Sequence, residues 1–368
     1  MTTPSSLGYR MPAEWEPHEA TWLAWPHNRT DWPGRFQPVP WVYAEIIRNL
    51  APAERVHLLV SDRNEEKAAR RILRKAGALS AAVEFHYWPT NRVWTRDYGP
   101  IFLVNAGGAR KSASPQTRVA LVNFAFNAWA KYPDFGHDNK VPGRVAGLLQ
   151  MTQFHAQVHR RPLVLEGGAI DVNGCGTLLA TEECLLSDVQ QRNPRLTRRQ
   201  YEKAFLDFLN VRHVIWLERG IAGDDTHGHI DDITRFVAPS TVVTATERDT
   251  SDENYEPLMR NLARLQAARD QDGSQFTVIQ LPMPRPVIFA GQRLPASYLN
   301  FYIANGVVLV PVFNDANDRI ALNTLAEAMP GHEIIPIYCG DFIWGLGAIH
   351  CATQQQPAGV AVGDDVPL

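Results

Sequence analysis

The chain has 368 residues, enough for one large domain or two ordinary ones with a sizeable core. Hydrophobic content of 45% and charged content of 20% are those of a water-soluble globular protein, and a formal net charge of −3 offers no basic footprint for nucleic acid or an anionic membrane. No apolar run reaches bilayer length, the first ten residues lack a secretory pattern, and four cysteines (Cys175, Cys184, Cys339, Cys351) without CxxC spacing exclude a disulfide framework. The expectation is a cytoplasmic protein with reduced thiols.

Taken in order, residues 11–18 are a turn-rich lead-in and residues 20–25 a short apolar strand. Residues 28–40 form a loop, and the spacing of Val42, Ile46, Ile47 and Leu50 predicts a helix. A strand (55–60), an amphipathic helix (64–76) ended at Gly77, and an alternating strand (83–88) follow. This is an α/β rhythm. Strands are expected at 101–104 and 119–125 around a polar loop or hairpin tip at 107–116, then an aromatic loop at 127–137 and a helix at 140–151.

Residues 163–165 read as a short strand broken by Glu166-Gly-Gly, and Asn173-Gly174 reads as the tight turn of a hairpin over 169–180. Next come a helix (197–210), a strand (211–217), a polar loop (223–232) and a strand pair (233–237, 241–246). The remaining elements are a helix (254–270), a strand (276–281), a proline-rich loop (282–295), a second Asn-Gly hairpin (297–303, 307–312), a helix (320–329) and a strand (333–337). No linker or low-complexity segment divides the chain, so residues 1–368 are read as a single α/β domain of similar modules.

Polar clusters recur at strand ends, beside glycine or proline, where loops present functional groups: Arg96-Asp97, Glu166-Gly-Gly, His229-Ile-Asp231 and Gly347…Cys351. Glycines around Cys351 allow close backbone approach to a ligand, though a free cysteine is equally at home as a small core hydrophobe. A nucleophilic thiol needs a partner that lowers its pKa or takes its proton. His229 suits general acid/base work, and Glu166 is placed to orient it. Asp97 and Asp231 exceed what such a triad requires. Carboxylates suit a planar guanidinium, so the set points to a guanidino carbon.

Plainer readings compete. Arg96-Asp97 also reads as a surface ion pair, and Glu166-Gly-Gly as an ordinary turn. In an extended segment His350 points away from Cys351. Cys175, Cys184 and Cys339 read as packing residues, and Trp94 as a pocket wall or core residue. His227, His229 and Asp231 resemble part of a metallohydrolase motif, but Asp232 stands where its last histidine belongs.

The combination resembles the agmatine deiminase / bacterial peptidyl-arginine deiminase family of the guanidine-modifying (pentein) superfamily. The resemblance lies in Met11-Pro-Ala-Glu-Trp-Glu-Pro-His-Glu19, Trp94-Thr-Arg-Asp-Tyr-Gly-Pro100, Leu165-Glu-Gly-Gly-Ala-Ile-Asp171, Thr181-Glu-Glu-Cys-Leu-Leu186 with Arg192-Asn-Pro194, Gly228-His-Ile-Asp231, Ala296-Ser-Tyr-Leu-Asn-Phe301 and Ile349-His-Cys-Ala-Thr-Gln-Gln355. It implies a five-bladed α/β propeller of ββαβ modules about a pseudo-five-fold axis. It further implies Cys351 as nucleophile, His229 as acid/base, Glu166 as its partner, and Asp97 and Asp231 as guanidinium-binding carboxylates. Trp94, Arg96, Asp225 and Gly347 are expected near the substrate. No metal or organic cofactor is implied, and a homodimer is a family-level expectation.

The implied reaction is hydrolysis of agmatine to N-carbamoylputrescine and ammonia, a step toward putrescine, with arginine or peptidyl-arginine as alternative substrates. The chain departs from the commonest family pattern beside the pocket. His227 and Asp232 replace two asparagines, and Leu346 and Ala348 interrupt a glycine-rich run. These changes bear on the substrate tail, for which Asp224 and Asp225 are the acidic candidates.

Overall fold

In the computed structural model, which describes residues 2–105 and 118–358, one succession is built five times: two antiparallel strands, a helix, and a third strand parallel to the second. Ile101–Asn105 and Val119–Asn123 pair antiparallel, helix Val141–Leu149 follows, and Thr152–His155 lies parallel; Tyr9–Arg10 extends this sheet. Asp171–Val172, Thr177–Thr181 and His213–Leu217 form the second sheet, with helix Arg198–Leu209 as the crossover. Thr234–Ala238, Thr241–Thr246 and Thr277–Pro282 form the third around helix Tyr255–Ala267. Tyr302–Ala304, Val307–Val312 and Glu333–Tyr338 form the fourth around helix Asp318–Ala328.

The fifth sheet joins the two ends of the described chain. Gln354–Pro357 runs antiparallel to His18–Ala24, and Arg55–Val60 and Val83–Tyr87 follow in parallel through helices Val39–Leu50 and Arg63–Lys75.

Local chemistry explains the elements. Asp62 caps helix Arg63–Lys75 by accepting from the Asn64 and Glu65 N–H groups, and Gly77 leaves it at φ +67°. Thr197 and Gln200 close a capping box on helix Arg198–Leu209, and Asn210 ends it in the left-handed region. Thr177–Thr181 is buried throughout, as a strand covered on both faces should be. No helix among the described residues is long and apolar enough to cross a membrane.

Several expectations change. Residues 163–165 are not a strand: Val164 makes an isolated bridge to Ala125. Of residues 297–303 only Tyr302 and Ile303 are strand, opening Tyr302–Ala304, and the preceding stretch is loop. Gln354–Pro357 is a buried strand that the amide run did not announce. The expected hairpin tip at 107–116 lies outside the described residues.

Candidate active site

Each of the five sheets is entered through a short irregular segment, and the five segments meet. One-turn helix Thr95–Tyr98 precedes Ile101–Asn105; the turn Gly167–Ala169 precedes Asp171–Val172; the turn Ile230–Asp232 precedes Thr234–Ala238. The loop holding Asn300 precedes Tyr302–Ala304, and the turn holding Cys351 precedes Gln354–Pro357. Their contacts run in a ring. The Arg96 N–H donates to the Cys351 carbonyl (3.1 Å), and the Gly168 N–H to Asp97 Oδ1 (3.2 Å). Glu166 Oε2 lies 3.9 Å from His229 Nε2. Asn300 Nδ2 donates to Asp232 Oδ1 (2.9 Å) and to Cys351 Sγ (3.1 Å).

Cys351, Asp97, Trp94 and Gly347 line one cavity of ≈ 490 Å³, with Trp129, Tyr132 and Trp344 as further aromatic wall. Gly347 has to be glycine, since a Cβ there would meet the Trp94 ring at 2.9 Å. Asp97 Oδ2 accepts from the Trp129 indole N–H (3.0 Å). Behind Asp97, His229 has no solvent exposure, with Nδ1 3.8 Å from Asp97 Oδ1 and 4.0 Å from Asp231 Oδ1. Both His229 ring nitrogens and Asp231 Oδ1 are buried without a hydrogen-bond partner among the described residues. The same Asp231 carboxylate reaches Cys351, its Oδ2 3.8 Å from Sγ.

The charges are set by burial against neighbours. Burial opposes an imidazolium at His229, but Asp97, Cys184 and Glu166 outweigh it and hold the ring protonated well above its usual range. Burial pushes the Asp97 carboxyl up to about 7; Asp231 and Glu166 add to the rise and His229 opposes it. Glu166 stays ionised, held at about 2, because Arg192 and His229 overcome its burial. Arg192 Nε donates to Glu166 Oε1 at 3.0 Å, both side chains fully buried. Burial, then Asp231, Asp232 and Asp97, raise the Cys351 thiol well above its ordinary value, while Asn300 opposes them.

Other expected residues stand elsewhere. Arg96 does not line the main cavity: its guanidinium donates to Gln355 Oε1 (2.6 Å) and the His350 carbonyl (3.3 Å) and lies 3.4 Å from Glu14. Successive helical residues diverge by about 100°, so Asp97 facing the cavity turns Arg96 away, and both are buried rather than a surface pair. Asp225 does line the cavity but is held by Lys131 and by the Tyr132 hydroxyl (2.8 Å). Asp224 is spent on the N–H groups of Thr226, Gly228 and His229, fixing the loop before the histidine.

Metal-type donors gather in two places among the described residues. His57, Glu84 and His86 are mutually satisfied: the two imidazoles share a hydrogen bond (2.9 Å) and Glu84 pairs with Arg55 (3.4 Å). Glu166, Cys184 and His229 also converge, but the Arg192 guanidinium on Glu166 repels a divalent ion. His227, expected in the metallohydrolase reading, turns to Ser187 Oγ (3.3 Å) and joins neither group.

Sequence reasoning passed over four residues. Arg192 anchors Glu166. His350 bridges Asp231 Oδ2 (2.7 Å) and Glu14 Oε2 (2.8 Å), because its segment is a turn and not extended. Arg92 lines the cavity, bound through both terminal nitrogens to Asp134 (3.1 Å each). Asn300 touches the sulfur itself. The motif blocks containing Arg192, His350 and Asn300 were the available signal; Arg92 had none.

A profile of the Porphyromonas-type peptidyl-arginine deiminase family matches residues 10–357. A putative agmatine deiminase of Legionella pneumophila (strain Paris) is 35% identical over 99% of this chain and 99% of its own. One from Selenomonas ruminantium is 34% identical over 97% and 98%. Among solved structures, the agmatine deiminase of Enterococcus faecalis superposes with a TM-score of 0.87 at 30% identity, covering 98% of this chain and 99% of that one. A C. jejuni agmatine deiminase with substrate bound gives 0.81 at 29%, covering 95% and 96%.

Proposed function

The chain belongs to the Porphyromonas-type peptidyl-arginine deiminase family, and from that premise we propose that it hydrolyses agmatine to N-carbamoylputrescine and ammonia through a covalent intermediate on Cys351. The observation that carries this reading is the crowding of Asp97, Asp231 and Glu166 around one imidazole, beside a thiol that lines a cavity. Protonated His229 and Arg192 offset two of the three carboxylates. A guanidinium between Asp97 and Asp231 offsets the third and gives the unpartnered Asp231 Oδ1 a donor.

The chemistry follows from these positions. Asp97 and Asp231 hold two guanidinium nitrogens and keep the carbon cationic and in line with Cys351 Sγ. The substrate's charge favours the thiolate that the three aspartates disfavour in its absence. The thiolate forms a C–S bond to the guanidino carbon. His229 gives a proton to the departing nitrogen, the C–N bond breaks, and ammonia leaves a thiouronium. The now neutral His229 takes a proton from water as its oxygen adds to the same carbon. The C–S bond then breaks as the hydroxyl proton of the adduct is lost to solvent, where the ammonia takes it up as ammonium, releasing the ureido product and leaving the thiolate and protonated His229. Glu166, kept anionic by Arg192, steadies the imidazolium form.

The cavity's charge supports the diamine-like substrate. Four carboxylates (Asp31, Asp97, Asp134, Asp225) line it; Arg92 pairs with Asp134 and Lys131 with Asp225, while Asp31 Oδ2 is buried without a partner among the described residues. A carboxylate tail, as in free arginine, would have to draw Arg92 from Asp134, while an ammonium tail meets an acidic wall. An ammonia-release screen across agmatine, arginine, peptidyl-arginine and methylated arginines tests this, with agmatine expected to give the highest kcat/KM. The same reading takes residues 1–368 as one five-bladed propeller of the reducing cytoplasm; five sheets of like strand order and four free cysteines support it.

Two further outcomes are expected. Since kcat/KM reports the free enzyme, its acid limb should follow Asp97, whose carboxyl sits at about 7. Below that pH the carboxyl is protonated and binds guanidinium poorly, so kcat/KM should fall close to tenfold per unit as the pH drops. A profile flat down to about pH 5 would contradict the assignment. Gly168→Ala should cut kcat by about 10²-fold. Its Cβ would lie 2.6 Å from His229 Nδ1, 2.9 Å from Asp97 Oδ1 and 3.0 Å from Asp231 Oδ2, displacing all three. Steady-state kinetics alongside a melting curve would separate this from unfolding.

A further inference from the structure

Four of the five segments that meet at the site carry the residues already given roles: Asp97, Glu166, the His229–Asp231 pair, and Cys351. The fifth, before Tyr302–Ala304, carries none of them, yet its Asn300 has no solvent exposure and makes the closest side-chain contact recorded for the sulfur. We propose that Asn300 is a catalytic residue of this chain, whose side-chain amide holds the Cys351 sulfur as a thiolate and fixes the direction in which it attacks. This rests on the reading of Cys351 as nucleophile.

The geometry leaves the amide one orientation. Asn300 Oδ1 accepts from the Cys351 backbone N–H (3.3 Å), so Nδ2 must face the sulfur; reversed, two donors would confront each other. Both Nδ2 protons are then used, one on Sγ at 3.1 Å and one on Asp232 Oδ1 at 2.9 Å. The backbone is tied as well: the His350 N–H donates to the Asn300 carbonyl (3.1 Å). Backbone and sulfur of the same cysteine are thus gripped by one buried side chain, at a fixed distance from the turn that carries it.

The need for such a donor follows from what else faces the sulfur. Asp231 comes within 3.8 Å, and Asp232 and Asp97 add to the negative surroundings that disfavour a thiolate. Asn300 is the neighbour that opposes them. A preorganised neutral donor aimed at the site of developing charge acts without reorganisation, as the donors of an oxyanion hole do. Asp232 has a defined part in this. Burial, with Asp231 and Asp224 nearby, raises its carboxyl well above the usual range. Its Oδ1 accepts the second Nδ2 proton of Asn300 and so fixes the amide with the other proton on the sulfur.

Asn300→Ala and Asn300→Asp separate holding the sulfur from filling space. The aspartate keeps the shape and the acceptor for the Cys351 N–H but replaces the donor by an acid. Two readouts are needed: kcat and KM with agmatine, and the pH dependence of Cys351 alkylation by iodoacetamide in the free protein, with melting curves to confirm folding. In Asn300→Ala, kcat should fall about 10²-fold. KM should stay within about threefold, and the alkylation midpoint should move up by about one pH unit or more. Asn300→Asp should be at least as impaired. A folded variant of either kind with kcat within about threefold of wild type and an unmoved alkylation profile overturns the proposal. The alkylation readout needs no substrate. If the wild-type protein turned over no guanidine, the deiminase reading would fall while a shifted midpoint still supported the Asn300–sulfur contact.

Discussion

Replacing Cys351 by alanine should abolish ammonia release from agmatine, by a factor on the order of 10⁴ or more, while agmatine still binds. The asymmetry comes from where the parts sit. In the proposed mechanism the guanidinium is held by Asp97 and Asp231, on segments leading into two other sheets, and neither relies on the sulfur for its position. Gly168 N–H and the Trp129 indole hold Asp97; His350 holds Asp231. Cys351 is 5% exposed at a cavity wall and the change removes only its sulfur, so the melting temperature should move little. Calorimetric titration of the variant with agmatine would give a Kd within about threefold of the wild-type KM if chemistry is slow relative to release. Intact-mass measurement after quenching should show a substrate adduct on the wild-type chain and none on the variant. Residual turnover above about one per cent would remove Cys351 from the mechanism.

The local periodicities were legible because they are made by neighbours in sequence. Helices Arg63–Lys75 and Arg198–Leu209 carry their own caps and apolar faces, and the Asn-Gly turns announce their hairpins. The strand Gln354–Pro357 carries no such signal: three amides and a proline are poor strand formers, and what makes them a strand is His18–Ala24, more than three hundred residues away. Leu163-Val-Leu165 errs the other way, with β-forming side chains but no ladder to join.

The site divides similarly. Cys351, His229, Glu166, Asp97 and Asp231 announced themselves by residue type beside glycine, and the structure brings all five together. Arg96, expected near the substrate, faces Gln355 instead, because neighbours on a single helical turn point in different directions. Asn300 lies among Tyr298, Leu299 and Phe301 with no charge to mark it. Its part is visible only because each sheet is entered the same way and four of the entries were already accounted for. The recurrence of one entry segment carries more information about function than any single motif does.

Replacing His229 by glutamine should lower kcat by about 10³-fold and also move the acid limb of kcat/KM to higher pH. Two separate consequences of one buried charge are involved. The first is chemical. The guanidino nitrogen leaves as ammonia only if protonated, and water attacks the thiouronium only if deprotonated; of the other groups near the cluster, Arg192 holds its protons, Glu166 is locked as the anion, and Asp97 is taken up by the guanidinium in the proposed mechanism. The second is electrostatic. His229 lies 3.8 Å from Asp97 and works against the burial that lifts that carboxyl to about 7. Without the imidazolium, Asp231 and Glu166 repel Asp97 unopposed, so its pKa rises and more of the enzyme is unable to hold a guanidinium at neutral pH. A histidine that merely filled space would leave that limb where it is. The pH profile of the variant, followed with enough enzyme to see the reduced rate, therefore decides more than the rate itself. A limb that stayed near pH 7, with kcat within tenfold of wild type, would mean the proton is carried by another group.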